Sequence, residues 1–421
     1  MQNLKQIKSI QFSGIKNEIL AIVKEISLEA GIEEIAIVGG IVRDYFIKKL
    51  HGDHDLNLTD LDIVVKGSAS KLAKDIKRKL SPSRVTSIKL FPKFDTAEII
   101  LDGLNIDITT ARKETYPIPG DDPKTKATNI ECDLSRRDFT VNAIAIDLYT
   151  NKVIDPFRGL EAIRNREINF IHANSVRDDP TRVFRAARYA TKLGFKVNSS
   201  SLEQISKTIN IWPWKLNNVE SSFLYPSGLS VRLTQEIYLL LFSKEWSESI
   251  NKLQEWKALT LLDQNIQNDK RLKRRIIWGK RLGVESVISL ILDSNNPVEL
   301  AKRLNLPNKQ INYICQSLKI KKFLSQLYKN KKHEEWSPSN WCSTIEGSNW
   351  HPEAIAMIIS TGTPLWQNLF KWWSKWRHIK APISGKTLIS KGFNKGPIIG
   401  AELKKLRYTH IDKLYKIKRS N

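Results

Sequence analysis

Cysteine is scarce: Cys132, Cys315 and Cys342 are far apart in 421 residues and odd in number. That spacing excludes a disulfide framework and offers no zinc-ligand pattern. A reducing cytoplasm is the expected setting. Long apolar runs are missing as well. No stretch approaches the roughly 18 apolar residues of a membrane span. The opening MQNLKQIKSIQF has neither the apolar stretch nor the small-residue cleavage site of a signal peptide. Histidine is rare, with seven in all, so HGDHD at 51–55 reads as a loop rather than a metal or phosphohydrolase motif. Acidic residues run short in one part of the chain only. Residues 1–150 hold 22 Lys/Arg and 22 Asp/Glu, whereas 151–421 hold 46 and 22 and carry the whole excess of +24. A neutral first part with acidic motifs, joined to a strongly basic second part, points to a catalytic module attached to a polyanion-binding one. The plainer alternative is a solubilising basic surface.

Residues 1–150 alternate short apolar strands with helical patterns, and 160–421 read almost wholly as helices. The first part is therefore expected to be α+β. Its sheet is built from strands at 35–38, 61–65, 97–101 and 104–109, with further strands at 145–149 and 152–154. Asp102-Gly103 is a hairpin signal between the third and fourth of these. Pro156 and Gly159 mark a boundary. Polar stretches near 264–269 and 329–339 are weaker candidates for later ones. No fixed-period repeat or low-complexity tract is present.

Five segments carry chemistry. The apolar run 35–38 ends in Gly39-Gly40 and is followed by the helical pattern IVRDYFIKKL. Strand, glycine turn and helix start is a phosphate-binding arrangement, because free N–H groups at the helix start face the ligand. Arg43 falls in the first turn. A plain turn is the competing reading. In LTDLDIVV, Asp60 and Asp62 are two apart on a strand, so both carboxylates share one face while Leu61, Ile63 and Val65 point to the core. Such a pair can hold two divalent metals for in-line attack on a phosphate, and magnesium suits oxygen ligands. An exposed acidic strand face is the alternative. In LNIDITTAR, Asp107 lies opposite the buried Leu104, Ile106 and Ile108, beside the acid pair if the strands are neighbours. In DLSRRDFTVNAIAIDL, Arg136 and Arg137 match phosphate oxygens, and Asp138 can accept from a ribose hydroxyl; a surface ion-pair cluster is the other possibility. In RDDPTRVFRAARYA, read as one helix, Asp178 and Arg182 are four apart and Asp179 and Arg182 three apart, so they meet on one face. Arg185 and Arg188 continue the stripe.

The order GGIVRD, DLDIVV, RRDFTVNAIAID, DPFRG, DDPTRVFRAARYATKLGF resembles the class II tRNA nucleotidyltransferases (CCA-adding enzymes) and bacterial poly(A) polymerases. The resemblance covers 30–240 and continues faintly into ISGKTLISKGFNKGPIIGAELKKL. It implies a polymerase beta-like mixed-sheet head, then an all-helical neck, body and tail. The corresponding ranges are 1–157 for the head, 158–240 for the neck, 241–330 for the body and 331–421 for the basic tail. It implies that Asp60 and Asp62 bind Mg²⁺ and that Asp107 is a less critical third acid. Gly39, Gly40, Arg43 and Arg185 match triphosphate contacts, and Arg137 with Asp138 matches the ribose-recognising motif. Asp179 and Arg182 match the pair that reads the incoming base, with Asp178, where the family more often has Glu, bracing Arg182. The stretch 114–136 corresponds to a flexible loop associated with the switch from C to A addition.

The chemistry of that pair agrees. A carboxylate accepts and a guanidinium donates, which complements cytosine and adenine and mismatches uracil and guanine. ATP and CTP are the implied substrates. The implied partner is tRNA, gripped along its acceptor and TΨC arms by shape and backbone charge. Residues 251–421, with 32 Lys/Arg and 12 Asp/Glu, carry that charge in clusters at 270–275, 319–322, 329–332 and 413–419. Trp372, Trp373 and Trp376 are interleaved with basic residues, but at helical spacing they read as core before they read as a stacking platform. The same motifs fit poly(A), CC-only or A-only addition. A non-catalytic RNA-binding protein is the rival from a different class, disfavoured by the intact acid pair.

Overall fold

The computed structural model describes Phe12 and residues 15–52, 60–211 and 226–415. The described residues form two compact units, one ending at Ala258 and one beginning at Leu259.

The first unit opens with α1 (Asn17–Glu29), β1 (Glu34–Val38), α2 (Gly40–His51), β2 (Asp60–Lys66), α3 (Ala69–Lys79), β3 (Val85–Phe91), β4 (Thr96–Leu101) and β5 (Leu104–Thr110). A hairpin of β6 (Arg112–Thr115) and β7 (Lys124–Ala127) follows, then α4 (Ile130–Ser135), β8 (Ala145–Asp147) and β9 (Val153–Ile154). Seven strands make one mixed sheet in the order β3-β4-β5-β2-β1-β8-β9, in which only the β2–β5 pair is parallel. Asp102 and Gly103 both adopt positive φ, 49° and 82°, as a two-residue hairpin turn requires.

The central strands are apolar on both faces because both are covered. Ile35, Ile37, Leu61, Ile63 and Val65 are fully buried on one. On the other, Ala36, Val38 and Val64 cluster with Ala111, Ile130, Leu134, Ala143 and Ala145. Asp60 and Asp62 alternate in phase with Val64, so they lie on this second face, at its open end.

Helices α5 (Gly159–Asn165), α6 (Ser175–Asp178), α7 (Thr181–Leu193), α8 (Ser199–Ile211), α9 (Ser227–Phe242) and α10 (Trp246–Glu255) complete the unit. Two-residue strands β10 (Glu167–Ile168) and β11 (Lys196–Val197) pair between them. α7 packs against both α9 and α10. The expected sequence of a mixed-sheet α+β head followed by helices is thus what the chain adopts.

The second unit is helical: α11 (Gln264–Asn268), α12 (Leu272–Arg281), α13 (Ser286–Ile291), α14 (Pro297–Arg303), α15 (Asn308–Lys329), α16 (Pro338–Gly347), α17 (Pro352–Thr361), α18 (Trp366–Ser374), α19 (Gly385–Ser390) and α20 (Pro397–Leu414). Trp372 and Trp376 are core residues, as their spacing indicated. Trp373 carries Arg377 over its ring at 4.6 Å. The basic cluster at 270–275 is not uniformly outward. Arg275 is only 1% exposed and pairs with Asp269 (2.5 Å) and Asp293 (2.6 Å) while Nε donates to the Ser289 carbonyl at 2.6 Å. Breaking a buried ion pair from one side strands the other charge. Arg275→Ala is therefore expected to destabilise the second unit by about 3–5 kcal/mol, read as a lower midpoint in denaturant unfolding.

Candidate active site

The site is assembled by register. β2 and β5 run parallel with Asp62 opposite Asp107 and Asp60 opposite Asn105. β1 runs antiparallel on the other side with Val38 opposite Asp62. The three acids that the sequence singled out therefore stand together on adjacent strands, next to the Gly39-Gly40 turn that leaves β1. Asn105 Nδ2 donates to Asp60 Oδ1 at 3.2 Å. Gly39 sits at φ 80°, and a Cβ there would fall inside van der Waals contact with Asp62 Oδ2. The glycine is thus needed twice, for its backbone conformation and for the approach of the carboxylate. Gly40 has no such constraint, since a Cβ there would meet Arg43 Nη2 at an ordinary 3.5 Å.

Burial pushes the Asp62 carboxyl above the usual range; Arg137 opposes the shift and Asp60 adds to it. Asp107 is raised by burial, then by Asp62, Glu98 and Asp60. Crowded, half-buried carboxylates of this kind are relieved by a cation. Among the described residues no three His, Cys, Asp or Glu side chains converge on a single point that would cage an ion. One or two carboxylates suffice for an ion that also takes phosphate oxygens and water, and Asp60 with Asp62 fit that role.

Arg137 lies at the end of α4, where Asp133 Oδ2 meets its Nη2 at 3.5 Å, and burial holds its pKa below the ordinary value. Asp133 is fully buried and also binds Arg136 Nε at 2.8 Å. Sequence reasoning missed this anchor, although its three- and four-residue spacing from Arg136 and Arg137 on a helix was there to read.

Arg43 is in the first turn of α2 as expected, but it is 3% exposed and turned inward rather than left open to a ligand. Its Nε binds Asp44 at 2.6 Å, Nη1 donates to Asn142 Oδ1 at 2.8 Å, and the guanidinium stands 5.2 Å from the Tyr189 ring centroid. A continuous polar chain starts there. Asn142 Nδ2 donates to Asp138 Oδ1 (3.0 Å), and Asp138 Oδ2 pairs with Arg185 Nε (2.9 Å). Arg185 and Arg188 then share Glu236 of α9 at 3.6 and 2.9 Å. Burial alone would raise Asp138. Arg185, the Asn142 amide, Arg182 and the Phe139 N–H outweigh it and hold the carboxyl below the usual range. Neither Asn142 nor Glu236 was singled out from sequence.

The segment expected to read the base differs from the single helix expected for it. α6 ends at Asp178, Asp179 is extended (φ −139°, ψ 98°), and α7 begins after Pro180. The residue before proline is driven out of the helical region by the ring, so the three- and four-residue helical spacings to Arg182 do not apply. Asp179 instead turns onto the first residue of α7: its Oδ1 accepts from Thr181 N (3.1 Å) and Thr181 Oγ1 (2.8 Å). Arg182, 5% exposed, is held by the Ser175 and Arg136 carbonyls at 3.3 and 2.7 Å. Asp178 does not brace it directly. Asp178 Oδ2 lies 3.9 Å from His172 Nε2, a ring whose pKa is lowered by burial and by Arg182.

The stretch 114–136, matched to the flexible loop, comprises the end of β6, the connection at 116–123, β7 and α4. His51 ends α2 with Nε2 2.9 Å from the Ile163 carbonyl, Gly52 follows it at φ 78°, and residues 53–55 lie outside the described residues. So does the end of the basic cluster at 413–419.

Residues 35–169 match the family model described as the poly A polymerase head domain. The A-adding tRNA nucleotidyltransferase of Aquifex aeolicus is 28% identical over 397 residues, 90% of this chain and 45% of that protein. This chain spans about half the length, or less, of the first curated relatives it matches. A CCA-adding enzyme in its apo form II superposes with a TM-score of 0.70 at 25% identity, covering 95% of this chain and 93% of that one. The Thermotoga maritima CCA-adding enzyme, solved as a complex with tRNA, superposes at 0.66 and 25% identity, covering 96% and 92%. Residues 35–169 thus match the poly A polymerase head-domain family, and the chain shares its fold with the CCA-adding enzymes.

Proposed function

We propose that this protein is a tRNA nucleotidyltransferase that adds C and A from CTP and ATP to the 3′ end of tRNA without a nucleic-acid template. The observation that carries the reading is the placement of Asp62: level with Asp107 across the parallel β2–β5 pair and against Gly39 on the other side. The roles follow from position. Asp60 and Asp62 would hold divalent metal, Mg²⁺ by its preference for oxygen, with Asp107 as the third acid. Metal held by these carboxylates would supply acidity to an attacking 3′-hydroxyl and positive charge for a leaving pyrophosphate. Gly39 and Gly40 keep the turn free of side chains so that the α2 N–H groups face the phosphates. Arg43, Arg137 and Arg185 supply positive charge around them, and Asp138 orients Arg185 near the ribose position.

Base selection is assigned to Asp179 and Arg182, with Asp178 behind them. Asp179 Oδ1 is committed to Thr181, which leaves Oδ2 to accept from the amino group of C or A. Arg182 has five N–H donors and places two nitrogens on carbonyls, so it can donate to the ring nitrogen. Uracil and guanine would leave these groups mismatched. Arg182→Ala is expected to relax discrimination against UTP and GTP by about tenfold or more, since an unpaired buried group costs roughly 1–3 kcal/mol. Misincorporation measured with each of the four nucleotides checks this. The head at 1–157 carries the reaction and the neck at 158–240 the base reading. The body at 241–330 and the basic tail at 331–421 bind the acceptor and TΨC arms, with the cytoplasm as the setting.

A second reading, addition of A alone, is favoured by the A. aeolicus relative, which aligns with most of this chain. Extension of tRNA ending at the discriminator base, at C and at CC, with CTP, ATP or both, decides. Three additions stopping at CCA support the proposal. A only onto CC, or CC only, identifies a half-enzyme, and long adenosine ladders a poly(A) polymerase.

A further inference from the structure

The tip of the β6–β7 hairpin is gripped from a distant helix by a single arginine, in addition to contacts from Lys93 and the Asp178 carbonyl. Arg232 of α9 donates through Nη2 to the Gly120 carbonyl (2.7 Å) and the Asp121 carbonyl (3.2 Å), and through Nη1 to Asp122 Oδ1 (3.1 Å). Its Nε stands 3.4 Å from Asp179 Oδ2. From the other side, Gly120 N donates to the Asp178 carbonyl at 2.9 Å. One turn before Arg232 is Gly228, where a Cβ would fall inside contact distance of Asp122 Oδ1. Two nitrogens of one planar guanidinium thus hydrogen-bond the tip while the third faces Asp179 at ion-pair distance, and a Cβ at 228 would have to displace the Asp122 carboxylate. A surface ion pair does not have this form, and a lysine with a single ammonium head does not reproduce it.

The carboxylate that Arg232 faces is the one assigned to base reading, and the oxygen it faces is the one that Thr181 leaves uncommitted. We propose that Arg232 is a positioning residue for nucleotide selection. It holds the hairpin tip and Asp179 Oδ2 as one unit, so that the hairpin's docked position fixes the direction in which Asp179 can accept. At 3.4 Å, Nε orients Oδ2 by charge without closing a short hydrogen bond, which leaves the oxygen able to accept from a ligand. The inference rests on the base-reading role proposed above for its consequence, but not for the clamp itself.

The test compares Arg232→Gln, Arg232→Lys, Gly228→Ala and Asp122→Asn with the unaltered protein. Kinetics are measured with CTP and ATP on tRNA, misincorporation with UTP and GTP, and hydrogen exchange at the Gly120 amide. The Arg232 variants are expected to raise the nucleotide KM by about tenfold and lose about tenfold in selection, with kcat changed by less than about threefold. Gly120 exchange should quicken in step. Gly228→Ala should reproduce the pattern although the guanidinium is intact. Asp122, whose side chain is 54% exposed, allows a variant that keeps the test open if those at Arg232 do not fold. Faster exchange with KM and selection at their original values would overturn the positioning role, and unchanged exchange would overturn the clamp. If the unaltered protein adds no nucleotide to tRNA, the proposed function fails, while Gly120 exchange still decides whether Arg232 holds the tip.

Discussion

Asp62→Ala is expected to lower nucleotide incorporation by about a thousandfold or more, the several kcal/mol that metal at this position contributes to the transition state. The same variant is expected to fold as well as the parent, or slightly better, in the absence of divalent metal. Burial raises the Asp62 pKa in the folded protein. A carboxyl with a raised folded pKa destabilises the fold at pH values above that pKa, where it is ionised, and the penalty disappears as the pH falls through it. Removing the carboxyl removes the penalty at neutral pH. Activity and stability should therefore move in opposite directions, which separates a site residue from a structural one. A quantitative rate assay beside a thermal melt in chelator reads both.

Gly39→Ala should be the second large effect. Alanine is strained at φ 80°, and its Cβ would collide with Asp62 Oδ2. Either the turn or the carboxylate must move, and displacement of a reacting group by about 1 Å costs on the order of a hundredfold in rate. A lower melting temperature should accompany the loss, unlike in Asp62→Ala. Gly40→Ala is the control. Gly40 has an ordinary φ, and its added methyl would meet Arg43 Nη2 at 3.5 Å, so both activity and melting temperature should stay near those of the parent. Equal losses at the two glycines would contradict the contact between the turn and Asp62.

What could be read from the chain was what local chemistry alone dictates. DLDIVV states its strand, its buried face and its paired acids in six residues. Asp102-Gly103 states its turn, and the tryptophan spacing states a core. β3 was missed because VTSIKLF buries only Val85 fully, and β7 because KTKA is exposed throughout, so neither shows the alternation that marks a half-buried strand. The break at Asp179 was legible, since Pro180 forbids a helical residue before it, but helical periodicity on both sides of the proline hid it. Arg43 shows the limit most clearly. Its place in the first turn follows from the sequence, whereas its inward orientation depends on Asn142, 99 residues away. Arg232 belongs to the same class, with partners more than 100 residues off, and no local signal distinguishes it from any other arginine on a helix.

The central claim is transfer of a nucleotide to an RNA 3′-hydroxyl at the Asp60–Asp62 centre. The most direct measurement is pyrophosphate release from labelled ATP and CTP with Mg²⁺, using tRNA with an intact 3′ end and tRNA ending in a 3′-deoxynucleotide. One pyrophosphate per nucleotide added, only with the intact end and lost in Asp62→Ala, is the predicted result. No incorporation from either nucleotide onto the intact tRNA, or incorporation that survives in Asp62→Ala, would contradict it.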